Sequence, residues 1–325
     1  MSESIRRLLI VRADRIGDLM HVTPVLHALH QQVPHLQVDV LAKSPATQVL
    51  MGNPAASAVL DARWDDQRLQ AAISAGQYDA VAHLFPERRL IELCRHIPRS
   101  VRKGIVPWFG RHRRVILHRS HSRKSEALYN ADLLHGWFPT LQVDPQPRIH
   151  PSDASQQCAA KLMPQARPLL NPGSGHPEGA WPWERFAAVS RGLAAAHGRA
   201  LVVWGPGEEE LARRVALNGD ADLAPATDLM ELAALAQRCA VMVTNDTGPM
   251  HLAAAAGAPV VAVWDGSRAI RPRRWGHHFR PDLVNFDPFD GSDDVVAQRQ
   301  RRLATVSVEA VVAAALRVAR PHRVD

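Results

Sequence analysis

Asp246-Thr247-Gly248-Pro249-Met250-His251 follows the apolar run Ala240-Val241-Met242-Val243 and opens the small-residue run Leu252 to Ala256. A buried strand therefore hands over through a tight turn to a helix whose N-terminus points outward. The first turn of such a helix has unpaired N–H groups and the positive end of the helix dipole, and it favours an anion. Thr247 and Gly248 let a phosphate approach closely, and Asp246 and His251 place polar groups beside it. The pattern describes a phosphorylated ligand held at the carboxyl end of a parallel sheet.

Outward from this turn the chain alternates strands and helices in two halves, the pattern of βα units on parallel sheets. In the first half, Leu8 to Val11, Leu36 to Leu41, Ala58 to Leu60, Tyr78 to Leu84 and Val115 to Leu117 read as strands. One helix is predicted from about Leu19 to Gln32 and another from Ser125 to Trp137. Residues 139 to 168 hold six prolines and little periodicity, and they read as the linker. The second half restarts at Pro168 to Asn171, with strands at Ala200 to Trp204, Ala240 to Thr244 and Pro259 to Val263. Its helices are predicted at Trp183 to His197, Glu208 to Leu217, Leu229 to Arg238, after Thr247, and at Val308 to Ala319 following an irregular segment.

The chain's 325 residues suit two domains of about 150 residues each. Hydrophobic content of 46% with 22% charged residues is that of an ordinary globular protein, and no apolar run approaches the ~18 residues that span a bilayer. Met1-Ser2-Glu3-Ser4 does not resemble a secretion signal. Cys94, Cys158 and Cys239 are scattered and read as reduced thiols in a cytoplasmic protein. Net charge is +7, concentrated in Arg95 to Lys124, which holds ten Lys or Arg, four His and no acid. Such a block is either a solvated face or a surface for an anionic partner: a membrane surface, an acidic sugar or a phosphate. Only Trp108 and Phe109 offer stacking surface there, so nucleic acid is not the expected partner.

Other strand ends carry candidate site residues, each with a plainer alternative. Asp18, after Arg12 and Gly17, is either a helix cap or a catalytic carboxylate at a carboxyl strand end. Asn171-Pro172-Gly173-Ser174-Gly175 is either a phosphate-binding loop or a Gly/Pro turn without a ligand. Glu208, after Gly205-Pro206-Gly207, accepts hydrogen bonds from a ribose or merely occupies a first helical turn. His251 is a ligand contact or a satisfied helix histidine.

Together these residues resemble glycosyltransferase family 9, the ADP-heptose:lipopolysaccharide heptosyltransferase family. The resemblance runs through Leu9-Ile10-Val11-Arg12, Arg15-Ile16-Gly17-Asp18, Thr23-Pro24-Val25-Leu26, Gly52-Asn53-Pro54 and Asn171-Pro172-Gly173. It continues in Trp181-Pro182 with Glu184-Arg185-Phe186, in Gly205 to Glu208 and in Asn245 to His251. It implies a GT-B fold, two Rossmann-like α/β domains facing across a cleft: residues 1–150 for the acceptor, 165–305 for the nucleotide-sugar, then a C-terminal helix and tail at 306–325. It also implies inverting transfer of heptose from ADP-heptose to a lipopolysaccharide core or related anionic glycan or glycolipid, with neither metal nor cofactor, at the cytoplasmic face of the inner membrane.

By the same resemblance Asp18 is the general base, and N–H groups at Thr247 and Gly248 hold the leaving diphosphate. Asp246, His251 and Ser174 line the nucleotide-sugar, Glu208 meets the ribose, and Thr227 lies near the adenine. The family's Lys or Arg two residues before the Trp-Pro pair is Gly179 here, with Arg185, Arg268 or Arg271 as possible replacements. Two further readings stay open: the same fold with another nucleotide-sugar, and a binding protein without turnover. Arg119, Arg123 and Lys124 are the expected acceptor contacts. Charge reversal at these three is expected to weaken acceptor use while leaving nucleotide affinity intact; equal loss of both, measured by kinetics and calorimetry, would contradict the assignment.

Overall fold

The computed structural model describes residues 5–104, 112–116, 124–265, 271–277, 280–291 and 296–321. The chain divides into two compact units, Met1–His150 and Pro151–Asp325.

The first unit is built on a six-stranded parallel sheet: β1 (Arg7–Val11), β2 (Gln37–Ala42), β3 (Ala58–Asp61), β4 (Ala80–His83), β5 (Arg99–Gly104) and β6 (His112–Ile116). Their order across the sheet is β3-β2-β1-β4-β5-β6. Leu8, Leu9, Ile10 and Val11 are all fully buried, as expected of a central parallel strand covered on both faces. The helices are α1 (Ile16–Met20), α2 (Thr23–Gln32), α3 (Asp66–Ala75), α4 (Arg88–Leu93) and α5 (Glu126–Leu134). On one face Leu9, Val11, Leu41, Leu69, Ile73, Val81 and Leu90 form a continuous core.

The second unit repeats this plan with β7 (Leu169–Asn171), β8 (Leu201–Val202), β9 (Asp222–Leu223), β10 (Met242–Asn245), β11 (Val260–Val263) and β12 (Leu283–Phe286). Their order is β12-β11-β10-β7-β8-β9. Numbered within each unit, both sheets read 3-2-1-4-5-6, the doubly wound order of a Rossmann-like domain. The direction of winding reverses between β1 and β4 in the first unit, and between β7 and β10 in the second. Such switch points open a crevice at the carboxyl ends of the two strands, and every strand-end motif singled out from the sequence lies at one or next to one. The helices of this unit are α6 (Asp153–Leu162), α7 (Trp183–His197), α8 (Glu209–Gly219), α9 (Leu229–Arg238), α10 (Gly248–Ala255), α11 (Pro272–Trp275), α12 (Val296–Thr305) and α13 (Val308–Val318).

Several elements differ from the sequence-based expectation. The helix expected from Leu19 to Gln32 is two helices, because Pro24 has no N–H to continue the ladder; the Thr23 hydroxyl instead closes the gap on the Met20 carbonyl at 2.8 Å. The expected linker contains α6, capped by Ser152, whose hydroxyl accepts from the Ser155 N–H at 3.2 Å; flanking prolines hid it. β5 is rich in charge and carries no strand-like alternation. The irregular segment before the last helix includes β12 and α12. Val311, Ala314 and Ala315 of α13, the expected C-terminal helix, are buried in the same core as Leu170, Phe186 and Val243.

Phe186 anchors that core, fully buried and edge-on to Trp181 with ring centroids 5.3 Å apart. Phe186→Ala should lower the urea-unfolding free energy of the second unit by about 3–5 kcal/mol. Leu217→Ala, on α8 at 77% exposure, should stay within ~0.5 kcal/mol.

Candidate active site

At the switch point of the second unit, β7 and β10 both end in asparagine, and both side chains are buried. Asn245 Nδ2 donates to the carbonyls of Pro172 at 2.9 Å and Gly173 at 3.2 Å, while its Oδ1 accepts from the Trp181 N–H at 3.0 Å. An amide side chain has two N–H donors and one carbonyl oxygen, and here one residue fixes both ends of the loop from 172 to 181. Asn171 Nδ2 reaches the Thr244 hydroxyl at 3.2 Å and the Thr247 hydroxyl at 3.3 Å, tying β7 to the start of α10. Left unpaired at this depth, each polar group would cost about 1–3 kcal/mol, so the loop's course is fixed by the hydrogen bonds it satisfies.

The loop walls one side of a cavity of about 520 Å³, a size suited to a nucleotide-sized ligand. Ser174, Trp181, Trp183, Gly207, Glu208 and Leu211 line it. Glu208 does not cap α8. Its carboxylate folds back to accept from the Gly205 N–H at 3.0 Å, and it lies so close over Gly173 that a Cβ there would sit 2.0 Å from Oε2. Gly207 has φ +83°, a conformation that favours glycine and turns the chain so that Glu208 can fold back. Ser174 makes a local turn, donating to the His176 carbonyl at 3.1 Å and accepting from its N–H at 3.2 Å. Thr227 is half-buried and does not line this cavity; it precedes Asp228, whose capping box with Glu231 opens α9.

The turn after β10 differs in detail from the expectation. The Thr247 N–H donates to the Asn245 carbonyl at 2.9 Å and Pro249 has none, so among the described residues the amide at the tip of α10 without a protein partner is that of Gly248. Asp246 donates its own N–H to Val263 at 3.1 Å. Burial, reinforced by the neighbouring Asp265 carboxylate, holds the Asp246 carboxyl well above the usual carboxylate range. A carboxyl that keeps its proton can donate a hydrogen bond to an anionic ligand, which a carboxylate cannot. His251 is buried, with Nδ1 3.0 Å from His277 Nε2, and burial lowers it to about 4; the ring is therefore a neutral hydrogen-bonding group at neutral pH.

Gly179 is buried, and a Cβ there would sit 3.0 Å from the Asp265 Cβ, so a longer side chain would press on that carboxylate. Arg185 does not replace the missing cation: its guanidinium donates to the Val306 carbonyl and, at 3.1 Å, to the Ala304 carbonyl, closing the end of α12. Arg271 is paired with Asp287 at 2.7 Å and stacked over Phe289. Arg268 lies outside the described residues. The nearest cation to Asp265 on the described chain is Arg299 of α12, at 3.8 Å, which sequence reasoning did not single out.

In the first unit Asp18 lies in the opening turn of α1, where its side chain makes no cap; Oδ1 accepts from Arg12 at 2.6 Å. Arg12 is buried and also pairs with Asp14 and Glu126. Lys124, the described member of the expected acceptor contacts, is exposed and paired with Asp132 at 3.1 Å; Arg119 and Arg123 lie outside the described residues. Sequence reasoning missed Asn171 and Asn245 as scaffolding side chains, as it missed Glu126. The signal available for the asparagines was their shared position at strand ends.

Gly173→Ala would place a methyl group on the Glu208 carboxylate and expel it from Gly205. If Glu208 contacts the bound nucleotide, calorimetry should show affinity falling about tenfold, the cost of one such contact. Unchanged affinity would remove Glu208 from the site.

Known proteins match this chain along most of its length. Lipopolysaccharide heptosyltransferase 2 of Salmonella typhimurium is 24% identical over 299 residues, covering 80% of this chain and 83% of the relative. The crystal structure of a family 9 glycosyl transferase from Veillonella parvula superposes with a TM-score of 0.79 at 21% identity, covering 98% of both chains. An E. coli heptosyltransferase with ADP-2-deoxy-2-fluoro heptose superposes with a TM-score of 0.69 at 20% identity, covering 94% of this chain and 97% of that one. These likenesses establish the fold as GT-B, with two Rossmann-like units. The family model of glycosyltransferase family 9 (heptosyltransferase) matches residues 67–281, well over half of the chain, and the protein is accordingly a glycosyltransferase belonging to that family.

Proposed function

We propose that this glycosyltransferase moves heptose from ADP-heptose to a lipopolysaccharide core acceptor, with inversion at the anomeric carbon and without a metal. The observation that carries this reading is the cavity between Glu208 and the loop of Ser174. A nucleoside fits there with its ribose hydroxyls on Glu208. Its diphosphate extends to the Gly248 N–H and the positive end of α10. Asp246, holding a proton, donates to a phosphate or sugar oxygen. The bound ligand named for the E. coli structure, an ADP-heptose analogue, supports the choice of nucleotide and sugar. The activity in the name of the Salmonella relative supports the choice of acceptor.

In this mechanism Asp18 takes the proton from the attacking acceptor hydroxyl. The new glycosidic C–O bond forms as the C1–O bond to the β-phosphate breaks, and the electron pair leaves with ADP. Amide hydrogen bonds and the helix dipole meet the charge developing on the diphosphate. Thr227 is assigned to the adenine end, His251 to the second layer behind the phosphates, and the basic stretch with Arg119, Arg123 and Lys124 to the acceptor's acidic groups. We place the enzyme on the cytoplasmic face of the inner membrane as a peripheral protein; among the described residues no helix is long and apolar enough to cross a membrane.

Two alternatives keep the same fold: a different nucleotide-sugar, and a binding protein without turnover, which Gly179 favours because the cation usual at that position is missing. Calorimetric titration with ADP, UDP, GDP and dTDP in the presence of a chelator separates these readings. The expected result is selective ADP binding that Asp246→Ala weakens by about tenfold or more, the cost of a hydrogen bond to a charged group. Preference for another nucleotide would replace the donor, and binding of none would leave a family member without turnover.

A further inference from the structure

The turn after β1 gathers three carboxylates around one buried cation. The Arg12 side chain is 2% exposed. Its Nε donates to Asp14 Oδ1 at 2.8 Å, one terminal nitrogen donates to Asp18 Oδ1 at 2.6 Å, and the other donates to Glu126 Oε1 at 2.9 Å. Glu126 is fully buried in the first turn of α5. One turn further on, Asn130 Nδ2 donates to the carbonyl of His21, the residue that ends α1, at 3.1 Å. α5 thus grips the short α1 from both ends, through Glu126 and Arg12 at the start and through Asn130 at the finish.

The chemistry of these groups makes the grip directional. A guanidinium is planar and presents its five N–H bonds in a rigid fork, so fixing one edge fixes the directions of the others. A buried ion pair with one partner removed leaves an uncompensated charge, which keeps Arg12 locked to Glu126. With one guanidinium for three acids, not all three hold full charge easily. Burial, with the neighbouring Asp18, raises Asp14 to about 6. Asp18 Oδ1 is occupied by Arg12, while among the described residues Oδ2 carries no hydrogen bond.

We infer that Arg12, anchored by the buried Glu126, is a positioning residue that fixes the Asp18 carboxylate through Oδ1 and leaves Oδ2 presented for the proton of the acceptor hydroxyl. The inference rests on the reading of Asp18 as the general base. In the transfer step the hydroxyl proton passes to Oδ2 as the glycosidic bond forms and the sugar–phosphate bond breaks. Arg12 loses no proton and touches no substrate.

Carbon-13 NMR of the full chain, with aspartate labelled at Cγ, tests this directly. The Asp18 resonance is the one lost in Asp18→Asn. In Arg12→Met its titration midpoint should move up by about one pH unit or more, a tenfold change or more in the ionisation constant. Arg12→Lys should restore part of the shift, and Glu126→Gln, which keeps volume and a hydrogen-bond acceptor, should give a smaller one. With ADP-heptose and heptose-free lipopolysaccharide, kcat of Arg12→Met should fall about 100-fold, its acidic limb displaced in the same direction, while calorimetric ADP affinity stays at the wild-type value. If Arg12→Met does not fold, Glu126→Gln supplies the same comparison. An unshifted Asp18 resonance in a folded Arg12 or Glu126 variant would overturn the inference. Full transfer by Asp18→Asn would instead overturn the reading of Asp18 as base, whatever the NMR shows, so the two failures are distinguishable.

Discussion

The second unit of this protein depends on one buried amide. Asn245 ends the central strand β10 and spends its donors on the Pro172 and Gly173 carbonyls and its acceptor on the Trp181 N–H. Because it is fully buried, water cannot substitute for any of these partners. The loop after β7 therefore has one course, and that course puts Gly173 beneath Glu208 and Trp181 in the cavity wall. Replace the amide with an apolar group and three buried backbone groups lose their partners together.

The two units solve the same physical problem with different charges. A parallel sheet wound in opposite directions from its centre leaves a crevice at the switch point, lined by strand ends and the first turns of helices. In the second unit, neutral amides organise the crevice and burial raises the Asp246 carboxyl well above the usual carboxylate range. In the first, a buried guanidinium organises it and pairs with three carboxylates, one of them fully buried. A site that accepts an anion needs donors and few fixed negative charges; a site that accepts a proton needs a carboxylate held ready. Each unit has the polarity suited to its proposed ligand.

Much of this was legible in the sequence. The fully apolar runs Leu8 to Val11 and Ala240 to Val243, each ending in a polar turn, identify central strands of parallel sheets, and α7 and α9 begin and end where their periodicity predicts. Less legible were elements whose stability comes from tertiary contacts. β5 is a strand because β4 and β6 flank it, although its sequence is mostly charged. α12 reads as a polar segment, yet Leu303 and Arg302 are buried. Among the candidate site residues, Asp18, Asp246, Ser174 and Glu208 were visible as polar residues at strand ends. The partners that aim them were not, because Glu126 is 114 residues from Arg12 and Asn245 is 73 from Pro172. Long-range pairing leaves no local periodicity. The missing Thr247 amide has a similar origin, since the bond it makes to Asn245 depends on the conformation of the turn.

The most direct test of the central claim, that the β7–β10 switch point is a nucleotide-sugar site, is a crystal structure of the protein with ADP bound. The account predicts the ribose hydroxyls on the Glu208 carboxylate, the nucleoside within the cavity walled by Trp181 and Trp183, and a β-phosphate oxygen accepting from the Gly248 N–H. ADP bound elsewhere, or turned so that its phosphates avoid α10, would contradict it.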